Sequence, residues 1–333
     1  MSAEKIITSL KKKDFKPVYW LEGEEVFFID QVIEYAEHHL LDPSEASFNL
    51  TIFYGRDADW SAVVNACRRY PMFAEKQVVL LKEAQHMKDI DKLEGYIENP
   101  LSTTLLFVAY KEKKIDGRSR LARLLKDKSE LMSAKKMYDN QLPEWTSNLV
   151  KSKGYTISPR ALNLLVDHIG NDLSRINNEV EKLLVNLKDR KAIEEDDIEK
   201  YVGISKEYNV FELQTALAAK NLSKALSIIQ YFEGNPKAGP IQMVLPALYN
   251  FFSKVYMVFG ANVSDERGLA QAIGVNPFFV KDYIAASKKF ELNGVEQVIL
   301  LLNHYNLRSI GVHDAGYSDG ELMKEMAAKI CAL

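Results

Sequence analysis

The chain has 333 residues, 47% apolar and 27% charged, a balance that suits an ordinary water-soluble fold and excludes low-complexity and membrane classes. Its 43 basic and 46 acidic residues leave a net charge of −3, so no whole-protein field favours nucleic acid, and only a local basic patch remains for that role. The two cysteines, Cys67 and Cys331, supply no disulfide or zinc framework and suit a reducing compartment. The N-terminal run MSAEKIITSLKKKDF lacks an apolar signal core, and no apolar stretch reaches membrane-spanning length. A cytoplasmic protein of two or three domains, with no membrane partner, is expected.

Val18 to Leu21 is a short apolar run and predicts a strand, followed by a turn at Glu22-Gly23-Glu24-Glu25. Val26 to Leu40 has helical spacing, with Phe28, Val32 and Tyr35 on one face. Phe48 to Tyr54 predicts a second strand. Asp59 is placed to cap a helix in which Trp60, Val63, Val64 and Cys67 form one stripe. Gln77 to Leu81 and Thr103 to Tyr110 predict the third and fourth strands, with a short helix over Leu93 to Glu98 between them. Apolar strands alternating with helices predict a parallel sheet covered on both faces.

Beyond Gln141 the pattern is helical. Ser158-Pro159 reads as a cap followed by proline at the first helical position, and Leu162, Leu165, Val166 and Ile169 form the stripe that Gly170 ends. Asp172 opens the next helix. The acid run Glu194 to Asp197 reads as first-turn charge on a helix dipole rather than a metal site, since consecutive acids point different ways. From Asn209 to the end the chain is helical, without an internal repeat.

Several chemistries are missing. The turn LEGEEVFFID, Leu21 to Asp30, has one glycine, no lysine and no hydroxyl, and its Glu24 and Glu25 would repel a triphosphate. Lys82 stands where a magnesium-ordering aspartate would be, beside Glu83. Histidines 38, 39, 86, 168, 304 and 313 form no ligand pattern, and no nucleophile elbow or reactive-cysteine signature is present. No catalytic residue, metal or cofactor is expected.

Two segments carry nucleic-acid chemistry. KEKKIDGRSRLARLLKDK, Lys111 to Lys128, concentrates basic residues, with Lys113, Lys114, Arg118 and Arg120 as DNA or partner contacts; a solvated helix face is the commoner origin of such mixed charge. LAQAIGVNPFFV, Leu269 to Val280, has helix-turn-helix spacing, but Phe278 and Phe279 are poor base readers and good core.

YPMFAEKQVVLLKE, Tyr70 to Glu83, poses the sharpest question. Pro71 cannot continue the preceding helix, so Met72 and Phe73 fall in a connection. On residue chemistry alone they plug either this protein's own core or a partner's pocket.

Four segments in order resemble one family: VYWLEGEEVFFIDQVIE (Val18 to Glu34), YPMFAEKQVVLLKEAQ, GNDLSRINNEVEKLLVNL (Gly170 to Leu187) and YNVFELQTALAAKNLSKALSII (Tyr208 to Ile229). The chain resembles the delta subunits of bacterial DNA polymerase III, clamp-loader subunits that open the sliding clamp. That resemblance implies an AAA+/RecA-like α/β domain with a degenerate phosphate loop (residues 1–140), a small helical lid domain (141–207) and a helical collar domain (208–333). It implies Met72 and Phe73 as the plug for the beta sliding clamp; Arg68 and Arg69, next to them in sequence, are candidates for a charged rim. It also implies the gamma/tau ATPase and delta-prime subunits as collar partners, and primer-template DNA within the complex. The family's ATPases carry a Ser-Arg-Cys motif; here Cys67-Arg68 follows Ala66, and the tripeptide is absent. Competing readings are an active AAA+ ATPase, a helix-turn-helix regulator and the related delta-prime subunit, whose zinc-binding cysteines are lacking.

Overall fold

The computed structural model describes residues 2–187, 190–205, 207–261, 263, 265–312 and 316–333. The chain divides into two units, Met1–Met137 and Tyr138–Leu333.

In the first unit, helix α1 (Ala3–Lys11) is capped by Ser2 and buries Ile6 and Leu10. It is followed by β1 (Val18–Gly23), α2 (Val26–His39), α3 (Pro43–Asn49), β2 (Leu50–Tyr54), α4 (Trp60–Cys67) and β3 (Gln77–Lys82). Then come α5 (Glu94–Ile97), β4 (Thr104–Lys111), α6 (Arg120–Lys128) and β5 (Glu130–Ala134). The five strands form one sheet in the order β2-β3-β4-β1-β5, and every neighbouring pair is parallel.

The strands are apolar on both sides because both sides are covered. Val18, Trp20, Val79, Leu81, Leu106 and Val108 face α4, α5 and α6. Tyr19, Leu21, Val78, Leu80, Leu105 and Phe107 face α1 and α2. Alternation with period two thus divides continuous apolar runs between two cores. Each such fully buried side chain contributes about 1.5–3 kcal/mol from burial. Asp59 caps α4 by accepting the Ala62 amide at 2.8 Å, as its place before the stripe predicted.

Three local expectations are corrected. The second strand begins at Leu50, not Phe48, because Pro43 at the first helical position starts a short helix that runs through Asn49. On α2 the buried set is Phe27, Ile29, Val32, Ile33 and Ala36, while Phe28 and Tyr35 pack at its margin. A fifth strand, β5, pairs with β1 where none was expected; its sequence ELMSA buries only Met132 and Ala134.

The second unit holds α7 (Leu142–Ser152), β6 (Thr156–Ile157), α8 (Pro159–Ile169), α9 (Leu173–Asn186), β7 (Ala192–Ile193) and α10 (Glu195–Asp197). It continues with α11 (Val210–Ala218), α12 (Leu222–Gly234), α13 (Ile241–Gly260), α14 (Glu266–Ile273), α15 (Val280–Ser309) and α16 (Asp319–Ala332). Ser158, Asp172 and Asn209 each accept an amide from the first turn of the helix they precede. One apolar cluster gathers Val150, Leu165, Ile176, Val180 and Ile198; another gathers Leu213, Ile228, Phe252, Val298 and Ile330. The acid run does more than complement a dipole. Asp197 is buried, accepts the Glu194 amide at 2.9 Å and pairs with Arg190 at 2.5 Å.

Candidate functional site

The connection between α4 and β3, residues 68–76, is held at two points by buried carboxamides. Gln77 is the first residue of β3, and its side chain turns back under the end of α4. Its Nε2 donates to the Arg69 carbonyl at 2.6 Å and to Thr104 Oγ1 at 2.7 Å. The Thr104 hydroxyl in turn donates to the Cys67 carbonyl at 2.8 Å. Asn49, the last residue of α3, grips the loop further along. Met72 N–H donates to Asn49 Oδ1 at 2.6 Å, and Asn49 Nδ2 donates to the Met72 carbonyl at 2.9 Å.

The large side chains of this loop point into solvent. Met72 is 52% exposed and Phe73 is 95% exposed. Tyr70 is exposed as well. Phe73 also holds φ +54°, in the left-handed region that non-glycine residues enter at a cost of about 1–3 kcal/mol. Met72 and Phe73 therefore do not plug their own core. Arg68, whose amide donates to Val64 O at 3.0 Å, and Arg69 are exposed beside them at the end of α4.

The basic segment lies at the opposite end of the sheet. Lys113, Lys114 and Arg118 are exposed in the loop after β4, where the parallel strands end, whereas residues 68–76 lead into the start of β3. A strand of six to eight residues spans roughly 20–25 Å, so the two sets cannot form one site. Arg120 pairs with Glu98 at 3.1 Å and with Glu94 at 3.7 Å, and is less available to a ligand.

The degenerate phosphate loop also sits where the strands end, the usual ligand edge of such sheets. Its amides are already engaged: Glu24 N–H donates to Ala134 O at 2.9 Å and Glu25 N–H to the same oxygen at 3.3 Å. Gly23 N–H donates to Lys113 O at 3.0 Å. Gly23 has φ +127°, and a Cβ there would stand 2.0 Å from Ala134 O. Glu22 is buried and accepts from Trp20 Nε1 at 3.2 Å and the Ile115 amide at 3.1 Å. Lys82 pairs with Glu37 at 2.5 Å.

Elsewhere, the helix-turn-helix spacing does produce a turn, with Gly274 left-handed after α14. Of its two phenylalanines only Phe279 meets the expectation of core, buried and packed edge-on against Phe211 at 5.5 Å; Phe278 is exposed, and its amide donates to Asn276 Oδ1 at 2.9 Å. A cleft of about 1370 Å³ within the second unit is lined by Asn163, Lys254, Asn276 and Tyr283, among others, and contains none of the exposed residues above. Among the described residues no three His, Cys, Asp or Glu side chains could hold a metal ion, and no helix is long and apolar enough to cross a membrane. His313 lies outside the described residues.

Sequence reasoning found the loop and missed what holds it. Asn49 interrupts the run Phe48 to Tyr54 and Gln77 heads the run Val78 to Leu81, and a polar residue at such a place is the signal that could have marked each.

Residues 19–135 match the model of the family described as DNA polymerase III, delta subunit. The chain is 25% identical to DNA polymerase III subunit delta of Bacillus subtilis (strain 168), over 96% of this chain and 93% of the relative. It is 22% identical to the probable DNA polymerase III subunit delta of Aquifex aeolicus (strain VF5), over 86% and 85%. The solved Bacillus subtilis DNA clamp loader delta protein is 24% identical, with a TM-score of 0.54 covering 99% of this chain and 100% of that one. The likeness shows the fold alone, a parallel-sheet unit followed by helices.

Proposed function

We propose that the chain is a clamp-loader subunit of the DNA polymerase III delta family, whose model matches residues 19–135, and that it grips the beta sliding clamp through Met72 and Phe73 and favours ring opening. The single observation that carries the reading is Phe73, 95% exposed at the tip of a loop whose backbone is fixed. Single exposed rings are common on surfaces, but here Phe73 stands beside exposed Met72 and Tyr70 on a fixed loop, an apolar projection that a pocket on another molecule would bury.

The magnitudes suffice. A phenylalanine buries about 150–250 Å², worth roughly 4–6 kcal/mol before ordering costs. Met72 adds an adaptable apolar contact. A ring bound in this way opens to the extent that the grip fits the open shape better than the closed one. No covalent step is needed. Arg68 and Arg69 form the charged rim, which acts on association rate more than on affinity.

Residues 208–333 form the collar that joins gamma/tau and delta-prime partners, and residues 141–207 form the lid. Lys113, Lys114 and Arg118 meet primer-template DNA within the assembled complex. The occupied amides at Glu24 and Glu25 favour a subunit that leaves ATP hydrolysis to its partners, in the cytoplasm. The test is binding of the parent chain and of Met72→Ala/Phe73→Ala to the partner clamp. Loss of most affinity with retained folding is the expected result; equal binding by the variant removes these residues from the site.

A further inference from the structure

We infer that Asn49 is the positioning residue of the Met72–Phe73 prong, fixing its backbone before any clamp arrives; the inference rests on the proposed function for what the prong meets, not for how it is held. The Asn49 carboxamide pairs with both main-chain groups of Met72, at 2.6 and 2.9 Å. A carboxamide offers a donor and an acceptor on neighbouring atoms, the pair that one residue's N–H and C=O require. Asn49 is 2% exposed, so water competes little for these bonds.

The anchor is itself fixed. Asn49 Nδ2 also lies 3.1 Å from Glu45 O, within its own helix. The next residue, Leu50, begins β2 and is in register with Val78 of β3. Met72 is thus tied to the residue that leads into the sheet, and Phe73 follows the residue that is tied. Gln77 secures the other end of the same segment at Arg69.

Two buried carboxamides therefore hold a segment whose large side chains Tyr70, Met72 and Phe73 stay exposed. For stability this is an inefficient use of buried polar groups. For recognition it is efficient, because a free loop loses about 1–2 kcal/mol of backbone entropy per residue ordered on binding. A pre-shaped prong has already lost it, and the competent conformer is the populated one.

The full-length Asn49→Ala variant is compared with the parent by amide hydrogen exchange without partner, and by binding kinetics with the sliding clamp. Exchange of the Met72 amide is expected to rise by roughly tenfold, with β3 protection unchanged. Association with the clamp is expected to slow by about tenfold at a nearly constant dissociation rate. Parent-like Met72 exchange overturns the positioning role. Faster exchange with unaltered association overturns it too, since the clamp then has no need of an ordered prong. If the parent binds no clamp, the proposed function falls, and the exchange result alone decides whether Asn49 orders the loop. Should Asn49→Ala not fold, Asn49→Asp keeps an acceptor for Met72 N–H but loses the donor to its carbonyl. An intermediate rise in exchange supports the role, and parent-like exchange and association refute it.

Discussion

The Ala134 carbonyl accepts the Glu24 amide at 2.9 Å, so the last strand of the sheet occupies a donor that a phosphate would need. The turn after β1 is closed by its neighbour as well as poor in glycine and lysine. Magnesium-ATP is accordingly expected to leave the thermal midpoint of the chain unchanged at millimolar concentration; a dose-dependent rise would show that the loop still opens to nucleotide.

Gly23 is the residue that permits this closure, through φ +127° and the 2.0 Å that a Cβ would leave to Ala134 O. Gly23→Ala should destabilise the first unit by more than the ~1–3 kcal/mol of backbone strain alone, because β5 must also move away from β1. Urea unfolding measures it. An unchanged midpoint would mean that the strand end adjusts freely.

Glu325 on α16 accepts from Lys329 at 2.7 Å and from Arg308 at 2.8 Å, and these two cations hold its carboxyl down at about 2, from an ordinary 4.5. A depressed carboxylate contributes stability that is complete above pH 4.5 and lost as pH falls from there toward 2. Glu325 is 38% exposed, so screening limits the contribution to about 1 kcal/mol. Glu325→Gln should lower the thermal midpoint at pH 7 and lessen its fall between pH 4.5 and 3. A midpoint insensitive to the substitution at both pH values would deny the network any role.

Burial pushes the Cys67 thiol up to about 12, while Cys331 on α16 is only half-buried. Ellman's reagent at pH 8 should therefore modify Cys331 first and Cys67 only at the rate at which the first unit unfolds. Two fast thiols in the native chain would show that α4 is looser against the sheet than its packing implies.

The sequence announces its sheet where strands are doubly buried, as at Val78 to Leu81, and its helices where a cap precedes a stripe, as at Asp59, Ser158 and Asp172. It hides β5, because ELMSA mixes Glu130 and Ser133 with two buried residues and follows directly on a basic helix. It hides α3, because Phe48 abuts the apolar run that becomes β2. For the candidate site, the loop and its two apolar residues are legible from Pro71, Met72 and Phe73. Their exposure is not, since an apolar residue in a connection reads the same whether it turns inward or outward. The hold of Asn49 on Met72 spans 23 residues and has no local periodicity to betray it.

The central claim is that Met72 and Phe73 insert into the sliding clamp, and a binding titration of the parent against Met72→Ala/Phe73→Ala tests it most directly. Because both side chains are exposed, the double variant should keep its thermal midpoint, a change within about 0.5 kcal/mol in stability. Its affinity for the clamp should drop by at least about 2 kcal/mol, some thirtyfold. A folded variant that binds the clamp as tightly as the parent would contradict the account.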